Sequence, residues 1–250
     1  MNDLLNKVAI VTGAGTGVAA RIAQAYAAHG ALVVLTYTKG REAAESAVAS
    51  IIGSGGQAAA VQADVSRIES VTRLFDHTEA LFGRPDIVMN TAGCDALSSP
   101  SRGADLFSLL LVTGHAVHRF GTAGGSIINI AALEGQAAAN PGGVYVSAQG
   151  PIDPIALGLS RTLQSKGIRV NSIAVGAPKR ALAMVGSGAC RTQRDTDPHT
   201  DTDADGEGDA DAASMSDTRV DDDIARMAVF LASEKASYLS GECIVMPENK

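Results

Sequence analysis

Short apolar runs alternate along this chain with stretches whose apolar residues recur at helical spacing. Residues 7–11 read KVAIV, residues 12–17 read TGAGTG, and an alanine-rich amphipathic stretch covers 18–29. This order predicts a buried strand, a glycine turn and a helix. Further buried-strand runs lie at 31–36, 58–62, 86–90, 126–130 and 168–174, with helical patterns between them, the longest of these spanning 144–164. Strands that alternate with helices predict an α/β fold, a doubly wound parallel sheet covered on both faces.

Length and composition keep this picture to one domain. The chain has 250 residues, 46% of them apolar, enough for one large core. Its charge is uneven. Twelve of the 27 acidic residues and a single basic residue, Arg219, fall within 195–223, a local balance of −11, so the remainder stands at +4 against a total of −7. Residues 195–211 alternate aspartate with small polar residues and lack apolar periodicity, which predicts a solvated loop inside an acidic insertion or lid at about 186–218. A calcium-loop reading fails for want of a helix pair and a terminal glutamate at the right offset. Cys94, Cys190 and Cys243 form no ligand or disulfide spacing, which predicts a reducing compartment. The first strand run starts too early to leave room for a leader, and no apolar run reaches membrane-spanning length, so a cytoplasmic protein is expected.

The glycine turn carries the first chemical signal. Glycines close the backbone tightly against a pyrophosphate, and the following helix offers its first N–H groups and positive dipole end to the anion. Taken alone, such a turn is equally a plain strand-to-helix loop. The remaining motifs narrow it: TGAGTGV at 12–18, ADV at 63–65, NTAG at 90–93, GSIINI at 125–130, Tyr145, GIRVNSIAVG at 167–176 and the long 221–244 segment. In this order they resemble the short-chain dehydrogenase/reductase family across nearly the whole chain, and the resemblance implies a single Rossmann-type domain.

The resemblance implies a catalytic tyrosine, a serine that hydrogen-bonds the substrate carbonyl, a lysine four residues after the tyrosine, and an asparagine on the preceding helix. Tyr145 is present. Ala132 stands for the serine, Gln149 for the lysine and Asp105 for the asparagine. An alanine offers an oxyanion no donor, and losing one such donor costs about 10²- to 10³-fold in rate. Glutamine still hydrogen-bonds a ribose hydroxyl but cannot favour tyrosinate, which forfeits on the order of 4 kcal/mol for a shift of about three pKa units. Pro151 and Pro154 interrupt the helical pattern right after Gln149, and a proline inside a helix removes a hydrogen bond and clashes one turn back. Because this helix forms a subunit interface in the family, a homo-oligomer with an altered interface is expected.

The cofactor cradle is better kept. The resemblance implies contacts from Gly13, Thr16, Gly17, Val18, Asp64, Val65, Asn90, Ala92, Gly93 and Gln149. Ala19 takes the place of a glycine, a small-for-small change. Thr36 is placed where NAD-preferring members carry an aspartate, which leans towards NADP(H), with Lys39 or Arg41 meeting the 2′-phosphate. Val175 and Arg180 depart from the pattern on the nicotinamide side. Cys94 reads more readily as a small buried hydrophobe than as a catalyst, and His115 and His118 lack a third metal ligand. No basic nucleic-acid patch or membrane helix stands out. Three readings follow: an NADP(H)-binding reductase of a small-molecule carbonyl relying on Tyr145, a redox-neutral cyclase, dehydratase or isomerase, and a catalytically silent cofactor- or partner-binding homologue.

Overall fold

The computed structural model describes residues 2–13, 17–91, 102–132, 152–175 and 210–246. Seven strands form one sheet in the order β3-β2-β1-β4-β5-β6-β7. They are β1 (Val8–Val11), β2 (Leu32–Tyr37), β3 (Gln57–Gln62), β4 (Ile87–Asn90), β5 (Gly125–Ala132), β6 (Ile168–Val175) and β7 (Cys243–Met246). Every pairing is parallel. The helices are α1 (Val18–Ala28), α2 (Arg41–Gly53), α3 (Ile68–Phe82), α4 (Arg102–Phe120), α5 (Ile152–Leu163) and α6 (Ala210–Ala232).

A parallel sheet with both faces covered needs apolar side chains in both directions, which is why its central strands read as continuous apolar runs. Alternate residues enter two cores. Ala9, Val11, Val33, Leu35, Met89, Ile128 and Ile173 meet α1, α2 and α6. Ile10, Val34, Val88, Ile127 and Val170 meet α3, α4 and α5. The outer strand β3 is only half-buried and correspondingly reads QAAAVQ.

Three details depart from the sequence reading. The strand β7 was not expected, because four half-exposed edge residues leave little periodic signal. The described helix within 144–164 is α5, whose first turn contains Pro154, where a missing N–H has no intrahelical acceptor to lose. The expectation of loop through Asp211 is corrected at its end: α6 starts at Ala210, and residues 210–218 are helical.

Arg169 fixes the far end of α6. Its guanidinium donates to the carbonyls of Leu231 (2.7 Å), Ala236 (3.1 Å), Ser233 (3.2 Å) and Ala232 (3.5 Å). The Leu231 and Ala232 carbonyls belong to the last turn of α6, beyond which the helix does not continue to bond them. Burial pushes the guanidinium pKa down, with Glu234 opposing that shift.

Candidate functional site

Because all strands run the same way, their C-terminal ends share one edge. Strand β1 pairs with both β2 and β4, so the chain order reverses there, and open α/β sheets bind ligands in the crevice outside such a point. The residues singled out by sequence collect along that edge. Gly13 and Gly17 follow β1, Thr36 is next to last in β2, and Asp64 and Val65 follow β3. Asn90 ends β4, and Ala132 ends β5 in register with Val175 of β6.

Three threonines and the Met89 carbonyl hold the start of the glycine turn. The Gly13 N–H donates to Thr36 Oγ1 at 3.1 Å. Thr12 N donates to the Met89 carbonyl at 3.0 Å, Thr91 N to Thr12 Oγ1 at 3.1 Å, and the Thr91 hydroxyl to the Thr12 carbonyl. The end of β1 is thereby tied to β2 on one side and to β4 on the other. Thr12 and Thr91 were missed as site residues, although their presence in the TGAG and NTAG motifs was the available signal.

After the turn, Gly17 caps α1 at φ 65° and ψ −138°, without a side-chain cap, and the first turn carries no acid. That φ and ψ pair is open to glycine and strained for other residues. A Cβ built on Gly17 meets nothing within 4 Å among the described residues, so among them it is the conformation and not crowding that requires the glycine. The first turn-to-turn bond runs from Arg21 N to Gly17 O at 3.3 Å, and the preceding N–H groups have no acceptor within the helix. An uncapped, acid-free helix start behind a braced glycine turn fits an anionic diphosphate. Ala19 packs in the core at 2% exposure, consistent with a small residue being needed there.

Along β2 the structure revises the expected roles. Thr36 is 1% exposed and its hydroxyl oxygen accepts from the Gly13 N–H, so it supports the turn from within. Thr38 Oγ1 donates to the Ala63 carbonyl at 3.4 Å. Lys39 is exposed, and among the described residues it makes no ion pair. Arg41 is held by Glu45 at 2.7 Å, a contact that raises its pKa, through the hydrogen bond first and charge second. Of the two cations, Lys39 is the one left for a ligand.

Asp64 Oδ1 accepts from the Ser66 hydroxyl (2.6 Å) and the Ser66 N–H (3.0 Å). These two bonds, with Arg67 nearby, hold its carboxyl below the usual carboxylate range against a small burial effect. Asp64 thus shapes the turn into α3, while Val65 is 9% exposed and belongs to the second core. The Asn90 amide donates to Asn129 Oδ1 at 2.9 Å across the β4–β5 ladder. Asn129 in turn lies opposite Ser172 on β6. A buried polar row, Asn90, Asn129 and Ser172, therefore replaces the apolar one as the sheet nears this edge.

Asp105 lies in the first turn of α4. Thr16, Ala92, Gly93, Tyr145 and Gln149 lie outside the described residues, as do Cys94 and Arg180. His115 stacks on Phe75 with ring centroids 5.8 Å apart and reaches Thr72 Oγ1 at 3.1 Å, so it ties α3 to α4. Among the described residues no group of three His, Cys, Asp or Glu side chains could hold a metal ion. No described helix is long and apolar enough to cross a membrane.

A parallel sheet with a braced glycine turn and an anion-ready helix start at its switch point defines a dinucleotide-binding fold. Residues 13–247 match the family model described as enoyl-(acyl carrier protein) reductase, and the chain belongs to the short-chain dehydrogenase/reductase family. It is 32% identical to an uncharacterized oxidoreductase of Methylorubrum extorquens, over 98% of this chain and 97% of that one. It is 34% identical to a versicolorin reductase of Emericella nidulans, over 95% and 93%. The crystal structure of a hydroxysteroid dehydrogenase from Escherichia coli superposes with a TM-score of 0.72 at 26% identity, covering 100% of this chain and 98% of that one. The chain is accordingly an oxidoreductase of a family whose reductases use nicotinamide cofactors on small molecules.

Proposed function

We propose that this protein is an NADP(H)-binding reductase of a small-molecule carbonyl, with a weakened active site that relies on Tyr145. The observation that carries the reading is the uncapped α1 N-terminus behind a glycine turn braced by Thr36, Thr12 and Thr91. The N–H groups of the first α1 turn would hold the diphosphate. At the end of β2, the exposed and unpaired Lys39 is available for a 2′-phosphate, and no acid stands at positions 36–40 to repel it. When bound, the nicotinamide supplies hydride chemistry. The chain's own part is to deliver a proton from the Tyr145 hydroxyl to the carbonyl oxygen.

That part is impaired in a defined way. Ala132, at the end of β5, gives the developing oxyanion no hydroxyl donor. Gln149 supplies no positive charge to stabilise tyrosinate. Reduction, in which a neutral tyrosine donates, tolerates the missing charge better than oxidation, in which tyrosine must accept. The two replacements also favour a second reading, a redox-neutral step in which Tyr145 acts as an acid in a shaped pocket.

Calorimetry with NADPH and NADH tests the binding half of the reading. NADPH is expected to bind more tightly than NADH, and Lys39→Gln is expected to remove most of the difference. Absence of affinity for either cofactor would sink both the reductase assignment and the role given to α1.

A further inference from the structure

At the opposite edge of the sheet from the candidate site, the ends of α4 and α5 turn into β5 and β6. Between these turns lies an open cleft of about 590 Å³, lined by Gly114, Val117, His118, Gly121, Thr122, Ser165, Lys166 and Gly167. Its side chains include two potential cations and two hydroxyls, and no carboxylate. His118, Thr122, Ser165 and Lys166 are all exposed, and among the described residues none of them makes a hydrogen bond or ion pair.

Basic residues at helix ends commonly serve the terminal carbonyls. Here those carbonyls are served by other groups. The Phe120 carbonyl accepts from Arg84 Nη1 (3.4 Å) and from Ala123 N (3.3 Å). The Gln164 carbonyl accepts from Gly167 N at 3.0 Å, and the Gly167 carbonyl from Gly125 N at 3.3 Å. Neither His118 nor Lys166 is among the groups that serve these three carbonyls.

The walls are also fixed. A Cβ on Gly124 would come within 2.5 Å of the Gly167 carbonyl, so the two turns meet backbone to backbone. Arg84 Nη1 reaches the Gly124 carbonyl at 3.2 Å and Arg84 Nη2 reaches Asp86 at 2.8 Å, which anchors the same turn to the start of β4. The backbone turns that carry these donors are thus held in place, while the exposed side chains stay free to turn towards a ligand.

We infer that this cleft binds the phosphate group of a small phosphorylated molecule, with Lys166 supplying charge, His118 a ring N–H donor, and Thr122 and Ser165 hydroxyl donors. The volume falls within the range of small-molecule sites, about 300–1,000 Å³, and exceeds what a bare ion fills. The chemistry recognised is a phosphate monoester, and the site is separate from the dinucleotide cradle.

The test is amide NMR titration of the full chain with inorganic phosphate and with glycerol 3-phosphate, using wild type and the His118→Gln/Lys166→Gln double variant. Both side chains are exposed, so the variant is expected to fold, and its unperturbed spectrum away from the cleft verifies that. Saturable shifts at residues 117–122 and 165–167, weakened about tenfold or more in the variant, are expected. Tighter binding of the monoester than of inorganic phosphate identifies an organic phosphate as the ligand class. Shifts confined to residues 17–21 would show anion binding at the α1 cradle only and overturn the proposal. Equal binding by wild type and variant would overturn it as well, and so would equal affinity for the two probes.

Discussion

Replacing Arg169 by methionine keeps most of the aliphatic stem and removes the donors that close the end of α6. The structure sets the size of the effect. Three of the four carbonyls keep a second partner: Leu231 from Ser126 Oγ (3.1 Å), Ser233 from Ala236 N (3.2 Å) and Ala236 from Leu239 N (2.9 Å). The Ala232 carbonyl is the one left bare, on a residue only 8% exposed. One buried unsatisfied carbonyl costs about 1–3 kcal/mol. Loss of a partly buried cation at a helix C-terminus adds about 1 kcal/mol, up to ~2 in favourable geometry. Relief of the guanidinium's own desolvation offsets part of this, so the expected loss is about 2–4 kcal/mol. Urea unfolding followed by far-UV circular dichroism measures it, with an unchanged m-value showing that two-state behaviour persists. Arg169→Lys should fall between wild type and Arg169→Met, since one ammonium cannot span four carbonyls. A loss below about 1 kcal/mol for Arg169→Met would refute the argument that this side chain closes α6.

Thr36→Val removes the acceptor for the Gly13 N–H at nearly constant shape, with an expected cost of about 1–2 kcal/mol in stability and weaker NADPH binding by calorimetry. For Asp64 the folded pKa lies below the unfolded one, so its ionised form stabilises the fold above the usual carboxylate range, and the contribution fades as pH falls through the lower folded value. Asp64→Asn should therefore be less stable than wild type at neutral pH, and the two urea midpoints should converge as pH falls below the usual carboxylate range; a gap that stays constant with pH would contradict this. Restoring the missing groups together, Ala132→Ser with Gln149→Lys, should raise carbonyl reductase turnover by about 10²-fold or more. No rise in NADPH consumption would mean that the pocket has diverged beyond these two positions.

The candidate site was legible from sequence in its glycines and strand ends, and less so in its side-chain roles. The resemblance sets Thr36 where NAD-preferring members carry an aspartate, and the structure adds that its side chain is buried and accepts from the Gly13 N–H. Lys39 and Arg41 looked equivalent as loop cations until the one-turn pair between Arg41 and Glu45 separated them. Thr12 and Thr91 are 79 residues apart in the chain, and no local pattern announces a contact of that span.

What the sequence by itself determined is the α/β class, the course of six of the seven strands and the family. Those are local properties: apolar period, glycine content and residue identity. The tertiary structure decided which polar groups are already spent. Thr36, Asp64, Arg41 and Arg169 are each committed to a neighbour, while the side chains of Lys39, Lys166 and His118 have no such partner among the described residues. A hydrogen bond or ion pair between residues distant in the chain depends on strand register and helix packing, and these exist only once the whole sheet has assembled.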